Sequence, residues 1–276
     1  MSNHPFSRIL LVTEHSEFDV GAERVAFAMA KRCDLPLSGV LPVLSNPEFE
    51  VAAPQLAERA EREAAEKIQA IRKLAAQAEV SLDMVARHGP ERYREVVDEA
   101  VRRDSDLIVL RRRGKKGFLA RLLVGEMVSK IVGHAPCNVL FVPRACQMWS
   151  QGVVAAVDGF PTSAHTAEAA ARVAAQCGIP LTLVSVLQHD TAESRGDAEA
   201  LLQALSARAT ELGAKVTTVI RAGKPYEEIV AVAKRAGADL IAIGRHGDSG
   251  LVKAMLGGTA HKVIGLSEVP VLVVHA

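Results

Sequence analysis

The fold is decided by a stretch near the end of the chain, Ile241-Ala-Ile-Gly-Arg-His-Gly-Asp-Ser-Gly-Leu-Val-Lys-Ala-Met-Leu-Gly-Gly-Thr259. An apolar strand runs into Gly244, a loop with glycines follows, and Gly257-Gly258 opens a predicted helix. Glycines at such a junction let backbone N–H groups approach an anion closely. The helix start adds unpaired donors and the positive end of its dipole. The stretch predicts a phosphate-binding loop, and a set of structural turns is the alternative.

The same unit occurs earlier in the chain. Asp106-Leu-Ile-Val-Leu resembles Asp239-Leu-Ile-Ala-Ile. Ala135-Pro-Cys-Asn-Val-Leu-Phe-Val resembles Glu268-Val-Pro-Val-Leu-Val-Val. These two matches indicate a tandem duplication rather than a chance alternation of strands and helices.

Apolar runs typical of buried strands alternate with helical stretches on both sides of these matches. Strands are predicted at 8–13, 36–44, 81–87, 106–110 and 137–142, and again at 152–158, 181–186, 215–220, 239–243 and 269–274. This order implies parallel strands with right-handed crossovers and helices on both faces. The predicted fold is α/β, with two tandem doubly wound parallel five-stranded sheets. We expect domains at 1–146 and 151–276, linked by 144–151.

Composition narrows the class of protein. With 49% hydrophobic and 24% charged residues, the chain is typical of a globular protein. Its net charge of +1 gives no bulk attraction to nucleic acid or to an anionic membrane, so neither is an expected partner. The sequence shows neither a signal peptide nor an apolar run near the ~20 residues that span a bilayer. We expect a cytoplasmic location.

Cysteines and histidines show no metal-ligand spacing, so no metal site is predicted. We expect the cysteines to be buried structural thiols, because free cysteine behaves as a small hydrophobe. They are Cys33, Cys137, Cys146 and Cys177. Lys224 lies in Gly223-Lys-Pro-Tyr, which lacks the P-loop pattern and is expected to form a turn before a helix.

A basic cluster in the first half allows two interpretations. It is either solvated or in contact with the other domain, or else it binds an anion or a partner. No aromatic stacking platform accompanies it. The cluster comprises Arg111, Arg112, Arg113, Lys115, Lys116 and Arg121.

Three features of the second half fall at the carboxyl ends of predicted strands. They are Asp158, Val186 and the loop that begins at Gly244. In open α/β sheets, ligands bind beyond the carboxyl ends, where the strand order reverses. The sequence therefore predicts a ligand site at this edge.

With this repeat, strand order and glycine loop, the two halves resemble the universal stress protein family in its tandem form, which has an adenine nucleotide alpha hydrolase-like fold. The family's nucleotide signature is Gly, two residues, Gly, nine residues, then Gly and Ser or Thr. Gly244, Gly247 and Gly257 fit that spacing.

The resemblance implies roles for particular residues of the second half. Asp158 would contact the adenosine moiety, although it could instead cap the following segment, and Val186 would line the adenine pocket. His246 would either touch phosphate or lie in solvent. The expected nucleotide-binding residues are Ala156, Asp158, Val186, Gly244, Arg245, His246, Gly247, Gly257, Gly258 and Thr259.

Both halves depart from the family pattern. Gly258 stands where the family has Ser or Thr, which removes one neutral hydrogen bond worth about 0.5–1.5 kcal/mol and should weaken binding without abolishing it. In the first half, Arg111 replaces the first signature glycine and Glu14 replaces the aspartate. Glu126 stands at the Ser or Thr position and would repel a triphosphate. We expect this half to have lost the nucleotide site.

The resemblance implies a stress-response regulator that binds ATP in its second domain, with ADP or AMP as alternative ligands and Mg²⁺ as an optional companion ion. Alternatives are an interaction scaffold without nucleotide and a slow ATPase. The sequence contains no recognisable nucleophile, base and orienting acid, so no dedicated enzyme is expected. The family also implies that the last strands, Asn138–Val142 and Val271–Val274, pair internally. A homodimer and an unidentified protein partner remain open.

Overall fold

The computed structural model describes residues 4–46, 48, 51, 53–112, 126–245 and 256–275. Among these described residues, the first half forms five strands and four helices in the order predicted from sequence. They are β1 (Ile9–Val12), α1 (Val20–Cys33), β2 (Leu37–Leu44), α2 (Pro54–Gln77), β3 (Leu82–Gly89), α3 (Arg92–Arg102), β4 (Leu107–Arg111), α4 (Glu126–His134) and β5 (Asn138–Val142).

The second half repeats this order. Its elements are β6 (Val153–Ala156), α5 (Thr162–Cys177), β7 (Leu181–Leu187), α6 (Ala192–Glu211), β8 (Val216–Ala222), α7 (Pro225–Arg235), β9 (Leu240–Gly244), α8 (Gly258–Leu266) and β10 (Val271–Val274). Every predicted strand overlaps an observed one, and the α/β class is confirmed.

The two five-stranded sheets form one continuous sheet. Its strand order is β3-β2-β1-β4-β5-β10-β9-β6-β7-β8. Strands are parallel within each half, and β5 and β10 pair antiparallel with Leu140 opposite Leu272. This pairing agrees with the expectation that the last strands meet internally. Because the strand edges of both halves are used at this junction, the exposed edges of the whole sheet are β3 and β8.

Helices cover both faces of the sheet, as a doubly wound fold requires. Apolar residues of α1, α2, α5 and α6 pack on one face, and those of α3, α4, α7 and α8 pack on the other. The central strands are buried on both faces, which explains their continuous apolar sequences.

A repeated aspartate connects the fourth strand of each half to its first strand. Asp106 accepts hydrogen bonds from the backbone N–H of Ser7, at 2.8 Å, and of Arg8, at 3.0 Å. Asp239 accepts from the backbone N–H of Gln151, at 3.0 Å, and of Gly152, at 3.1 Å. This shared role gives a physical reason for the matching Asp-Leu-Ile sequences.

In each half, the strand order reverses between the first and fourth strands. The β1–β4 and β6–β9 neighbours mark these two points. Connections leave such neighbours toward opposite faces, so a crevice forms beyond their carboxyl ends. The fold thus provides two equivalent crevices, one in each half.

The cysteines only partly match the expectation of buried thiols. All four are free, and Cys137 is buried. Burial raises the pKa of the Cys137 thiol to about 12, and the nearby Asp106 contributes. Cys33, Cys146 and Cys177 are half-buried, so the expectation was wrong for them. Cys33 and Cys177 end helices α1 and α5, and Cys146 lies in the link, where packing is incomplete.

Among the helices of the described residues, none is long and apolar enough to cross a membrane.

The β5–β10 junction can be tested by shortening a side chain at its centre. Leu272 is 1% exposed, so Leu272→Ala should lower the free energy of unfolding by about 2–5 kcal/mol through lost burial and a residual cavity. Leu44→Ala is the matched control, because Leu44 is 60% exposed and surface changes cost within about 0.5 kcal/mol. Denaturant titrations of both variants measure the effect. Similar losses for the two variants would contradict the assigned junction.

Candidate functional site

The crevice of the second half is an open cleft of about 390 Å³. It lies beyond the carboxyl ends of β6, β7 and β9 and is bounded by the starts of α5, α7 and α8. Its volume falls in the range of small-molecule sites. Residues expected from sequence to bind nucleotide that line this cleft are Ala156, Asp158, Val186, Gly244, Gly257, Gly258 and Thr259.

Asp158 is an exposed residue that lines the cleft just after β6, and one of its carboxylate oxygens is engaged. Its Oδ1 accepts a hydrogen bond from the Ser163 hydroxyl at 2.8 Å and from the backbone N–H of Phe160 at 3.2 Å. The Ser163 hydroxyl also accepts from the backbone N–H of Asp158, at 2.8 Å. These bonds fix the carboxylate, as in the capping interpretation. Within the described part of the chain, Oδ2 has no hydrogen-bond partner and is available to accept from a ligand.

The start of α8 forms the opposite side of the cleft. Gly257 is the N-cap residue, and as a glycine it has no side chain with which to cap the helix. Gly258 and Thr259 are exposed and open the helix, so their backbone N–H groups are among the donors that a helix start leaves unpaired. A donor set of this kind, at the positive end of a helix dipole, suits an anion.

The wall between these two polar ends is apolar. It is formed by the buried side chains of Val184, Ile229 and Ile243 with half-buried Val186, and Phe160 stands at the rim. One cleft of the size of a small ligand therefore combines the Asp158 carboxylate, an apolar wall and a helix start that suits an anion.

Arg111 narrows the inner part of the equivalent crevice in the first half. Only about 30 Å³ remains there, lined by Glu14, Asp19, Pro42 and Arg111 among others. A more open cavity of about 310 Å³ lies at the outer end of the crevice and is lined by Glu126, Met127 and Lys130 among others. Arg111 occupies the register position of Gly244 at the end of the fourth strand, as Glu14 matches Asp158 and Pro42 matches Val186.

Arg111 fills the inner part of this crevice with its side chain. Its Nη1 donates to the Ser16 hydroxyl at 2.6 Å and to Asp19 Oδ2 at 3.0 Å. Its Nη2 donates to Glu14 Oε2 at 3.0 Å. Arg92 adds a second cation, 3.2 Å from Glu14 Oε1. An internal cation therefore satisfies the carboxylates at the place where the second half has open space.

The side chain of Arg245 does not line the cleft, contrary to its expected role as a nucleotide contact. Its Nη1 crosses to the first half and donates to the carbonyl oxygens of Val132, at 3.2 Å, and Ala135, at 3.3 Å, at the end of α4. Burial lowers the pKa of this guanidinium. A cation at a helix C-terminus is favourable, because it meets unpaired carbonyls and the negative dipole end.

Arg112 makes the reciprocal contact from the first half. It follows β4 as Arg245 follows β9, and its Nη1 donates to the carbonyl oxygens of Gly265, at 3.0 Å, and Ser267 at the end of α8. For Arg112, the interdomain interpretation of the basic cluster is therefore the observed one. Arg111 binds within its own half. The remaining cluster members, Arg113, Lys115, Lys116 and Arg121, lie outside the described residues, as do His246 and Gly247.

Sequence reasoning missed several residues of the cleft. Ser163, which orients Asp158, and Lys262, which lines the cleft in the second turn of α8, were not singled out. Lys262 could have been found by aligning the two halves, because Lys130 stands at the same position of α4. Ser163 left none, since its counterpart in the first half is Asp19.

Comparison with known proteins places both halves in one family. A model described as the universal stress protein family matches residues 5–143 and 151–275. Universal stress protein YxiE of Bacillus subtilis is 32% identical over 144 residues, in an alignment that covers 45% of this chain and 97% of the relative.

Solved structures show the same fold. A universal stress protein from Archaeoglobus fulgidus has a TM-score of 0.72 at 19% identity, and the match covers 99% of this chain and 97% of that one. A second protein from Archaeoglobus fulgidus, a universal stress protein in complex with dAMP, is 23% identical with a TM-score of 0.40. That match covers 45% of this chain and 98% of the other.

The narrowing of the first-half crevice can be tested at Arg111. Asp19 is 2% exposed, so Arg111→Ala leaves a buried carboxylate without its cation and should cost about 3–5 kcal/mol of unfolding free energy. Arg144→Ala is the control, because the Arg144–Glu17 pair has similar length, at 3.0 Å, but is more than half exposed. Such surface pairs contribute about 0–1 kcal/mol. Denaturant midpoints that shift equally in both variants would contradict the filling role of Arg111.

Proposed function

The chain belongs to the universal stress protein family, and we propose that its second half binds an adenine nucleotide, with ATP as the first choice, in the cleft between β6 and β9. The contrast between the two crevices carries this proposal. The second-half cleft of about 390 Å³ reaches from Asp158 to the start of α8, whereas Arg111 leaves only about 30 Å³ beside Glu14, the counterpart of Asp158. One site per chain follows.

Each part of the cleft suits one part of such a ligand. The free Oδ2 of Asp158 would accept from a ribose hydroxyl, and Ser163 would hold the carboxylate in place. The apolar wall near Val186 would take the adenine ring. The N–H groups of Gly258 and Thr259 would donate to phosphate oxygens. Mg²⁺ would accompany a triphosphate through the phosphate oxygens, as is usual for this ion.

We further propose a regulatory role in the cytoplasm, in which nucleotide shifts a conformational or assembly equilibrium. The loop between β9 and α8 begins at Arg245, whose backbone carbonyl accepts a hydrogen bond from Gly257 N–H at 3.0 Å. The side chain of the same residue is held by the end of α4 in the first half. A ligand that rearranges this loop would therefore act on the contact between the halves. Such regulation requires that the ligand bind the two states with different affinity.

Binding rather than turnover is the proposed activity. Among the described residues that line the cleft, Asp158 is the one carboxylate, and the lining contains no histidine. The Asp158 carboxylate is held by Ser163 and Phe160, which suits orientation of a ligand better than proton transfer. A slow ATPase remains the second candidate. Phosphate release that persists in a variant without nucleotide binding would mark a contaminating enzyme.

Replacement of the Asp158 carboxylate tests the site. Asp158→Asn removes a charged acceptor, and hydrogen bonds to charged groups contribute about 1.5–3 kcal/mol. Calorimetric titration with ATP should therefore show about 10- to 100-fold weaker binding. Asp197→Asn, an exposed position on α6, is the charge-matched control and should bind as the wild type does. Absence of ATP and ADP binding by the wild type up to millimolar concentration would instead favour the interaction scaffold.

The missing hydroxyl at Gly258 provides a gain-of-affinity test. A side chain added at Gly258 meets no atom within 4 Å, so Gly258→Ser should fold normally. One regained neutral hydrogen bond would tighten ATP binding about 2- to 12-fold. Gly258→Ala is the control, since it adds the carbon without the hydroxyl. If the serine and alanine variants bind equally, the hydroxyl makes no contact with the ligand.

A further inference from the structure

The two halves place a lysine at the same point beside their crevices. Lys130 is the fifth residue of α4, and Lys262 is the fifth residue of α8. Each ammonium group lies over a tyrosine ring from the preceding helix. Lys130 Nζ is 5.1 Å from the ring centre of Tyr93, and Lys262 Nζ is 4.5 Å from that of Tyr226. The shared aromatic support holds both cations in comparable positions.

In the first half, this lysine is neutralised by two carboxylates. Lys130 Nζ lies 2.9 Å from Glu126 Oε1 and 3.6 Å from Glu91 Oε1. Glu126 opens α4, and Glu91 is the N-cap residue of α3. The charge of Lys130 is therefore neutralised by carboxylates of its own half.

In the second half, both carboxylates are absent from the equivalent positions. Gly258 stands at the place of Glu126, and Lys224, the N-cap residue of α7, stands at the place of Glu91. Across the described residues, no carboxylate lies within 4.0 Å of Lys262 Nζ, whereas Lys224 pairs with Glu227 at 3.3 Å. Lys262 also lines the open cleft, on the side where α8 begins.

From this comparison we infer that Lys262 is a phosphate-binding residue, which makes the cleft select nucleotides with charged phosphates over the uncharged nucleoside. The inference rests on the proposed nucleotide site and specifies its selectivity. A lysine ammonium is a point charge with three donors, which suits phosphate oxygens. Its charge-assisted contact also offsets the neutral hydrogen bond that Gly258 cannot provide.

The open helix start and the lysine act on the same part of the ligand. The N–H groups of Gly258 and Thr259 point from the first turn of α8, and Lys262 stands one turn further on the same helix. A carboxylate at position 258 would neutralise Lys262, as Glu126 does beside Lys130. It would also compete with a ligand anion for the positive end of the helix dipole. The absence of that carboxylate leaves both features available to an anion.

The test compares three ligands on matched lysine variants. Calorimetric titrations with ATP, AMP and adenosine are made on the wild type, Lys262→Gln and Lys130→Gln. Lys262→Gln should bind ATP about 10- to 100-fold more weakly, because a charge-assisted contact is lost, and should bind adenosine within about twofold of the wild type. Lys130→Gln should leave all three affinities unchanged.

A second variant transfers the first-half arrangement into the second half. A Cβ at position 258 meets no atom within 4 Å and Gly258 is exposed, so a thermal melt of Gly258→Glu close to that of the wild type is expected. It should weaken ATP binding at least as much as Lys262→Gln does, and adenosine binding much less.

The outcomes separate the two proposals. A wild type that binds ATP, with a Lys262→Gln variant that binds it equally well, overturns the role of Lys262 and leaves the nucleotide site intact. Equal weakening of ATP and adenosine also overturns it, since the lysine would then support the cleft rather than the phosphates. A wild type that binds none of the three ligands overturns the proposed function and this inference together.

Discussion

The space beyond the fourth strand of each half depends on the residue that ends this strand. Reversal of the strand order creates two equivalent crevices at the carboxyl ends. Arg111 extends into the first crevice and is held by Glu14 and Asp19, whereas Gly244 has no side chain to extend into the second. The duplication thus gives one fold with two differently occupied crevices.

The two halves are joined by complementary contacts rather than by a flexible connection alone. Antiparallel pairing of β5 with β10 merges the sheets, and its apolar residues are buried from both faces. Beside this junction, Arg112 and Arg245 each bind the carbonyl end of a helix in the opposite half. Arg245, which begins the loop between β9 and α8, is therefore also part of the junction. Because Arg245 belongs both to this loop and to the junction, a ligand that moved the loop in the second half would also act on the first half.

Much of the fold was predictable because its signals are local. Buried parallel strands give continuous apolar runs, and the repeated Asp-Leu-Ile motif marks the fourth strand of each half with the aspartate that anchors the first strand. The rule that ligands bind beyond the carboxyl ends of strands predicted that Asp158, Val186 and the loop beginning at Gly244 lie at one edge of the sheet. Arg111 could be identified as a replacement for glycine, although its ion pairs depended on the position of Asp19.

Side-chain direction was the part that sequence could not provide. Arg245 lies within the nucleotide signature, yet its guanidinium finds unpaired carbonyls more than a hundred residues away in the chain. Its direction is set by packing between the halves, which local spacing does not encode. The pairing of Lys262 with Tyr226 likewise joins two helices whose contact follows only from the folded sheet. Comparison of the two halves recovers such residues, because each half serves as a reference for the other.

The central claim is that one crevice binds a nucleotide and the other is filled by the protein itself. Native mass spectrometry of the full chain at saturating ATP measures the number of bound ligands directly. The account predicts one nucleotide per chain, and Asp158→Asn should remove it. Two bound nucleotides per chain, or one that survives in Asp158→Asn, would contradict the account.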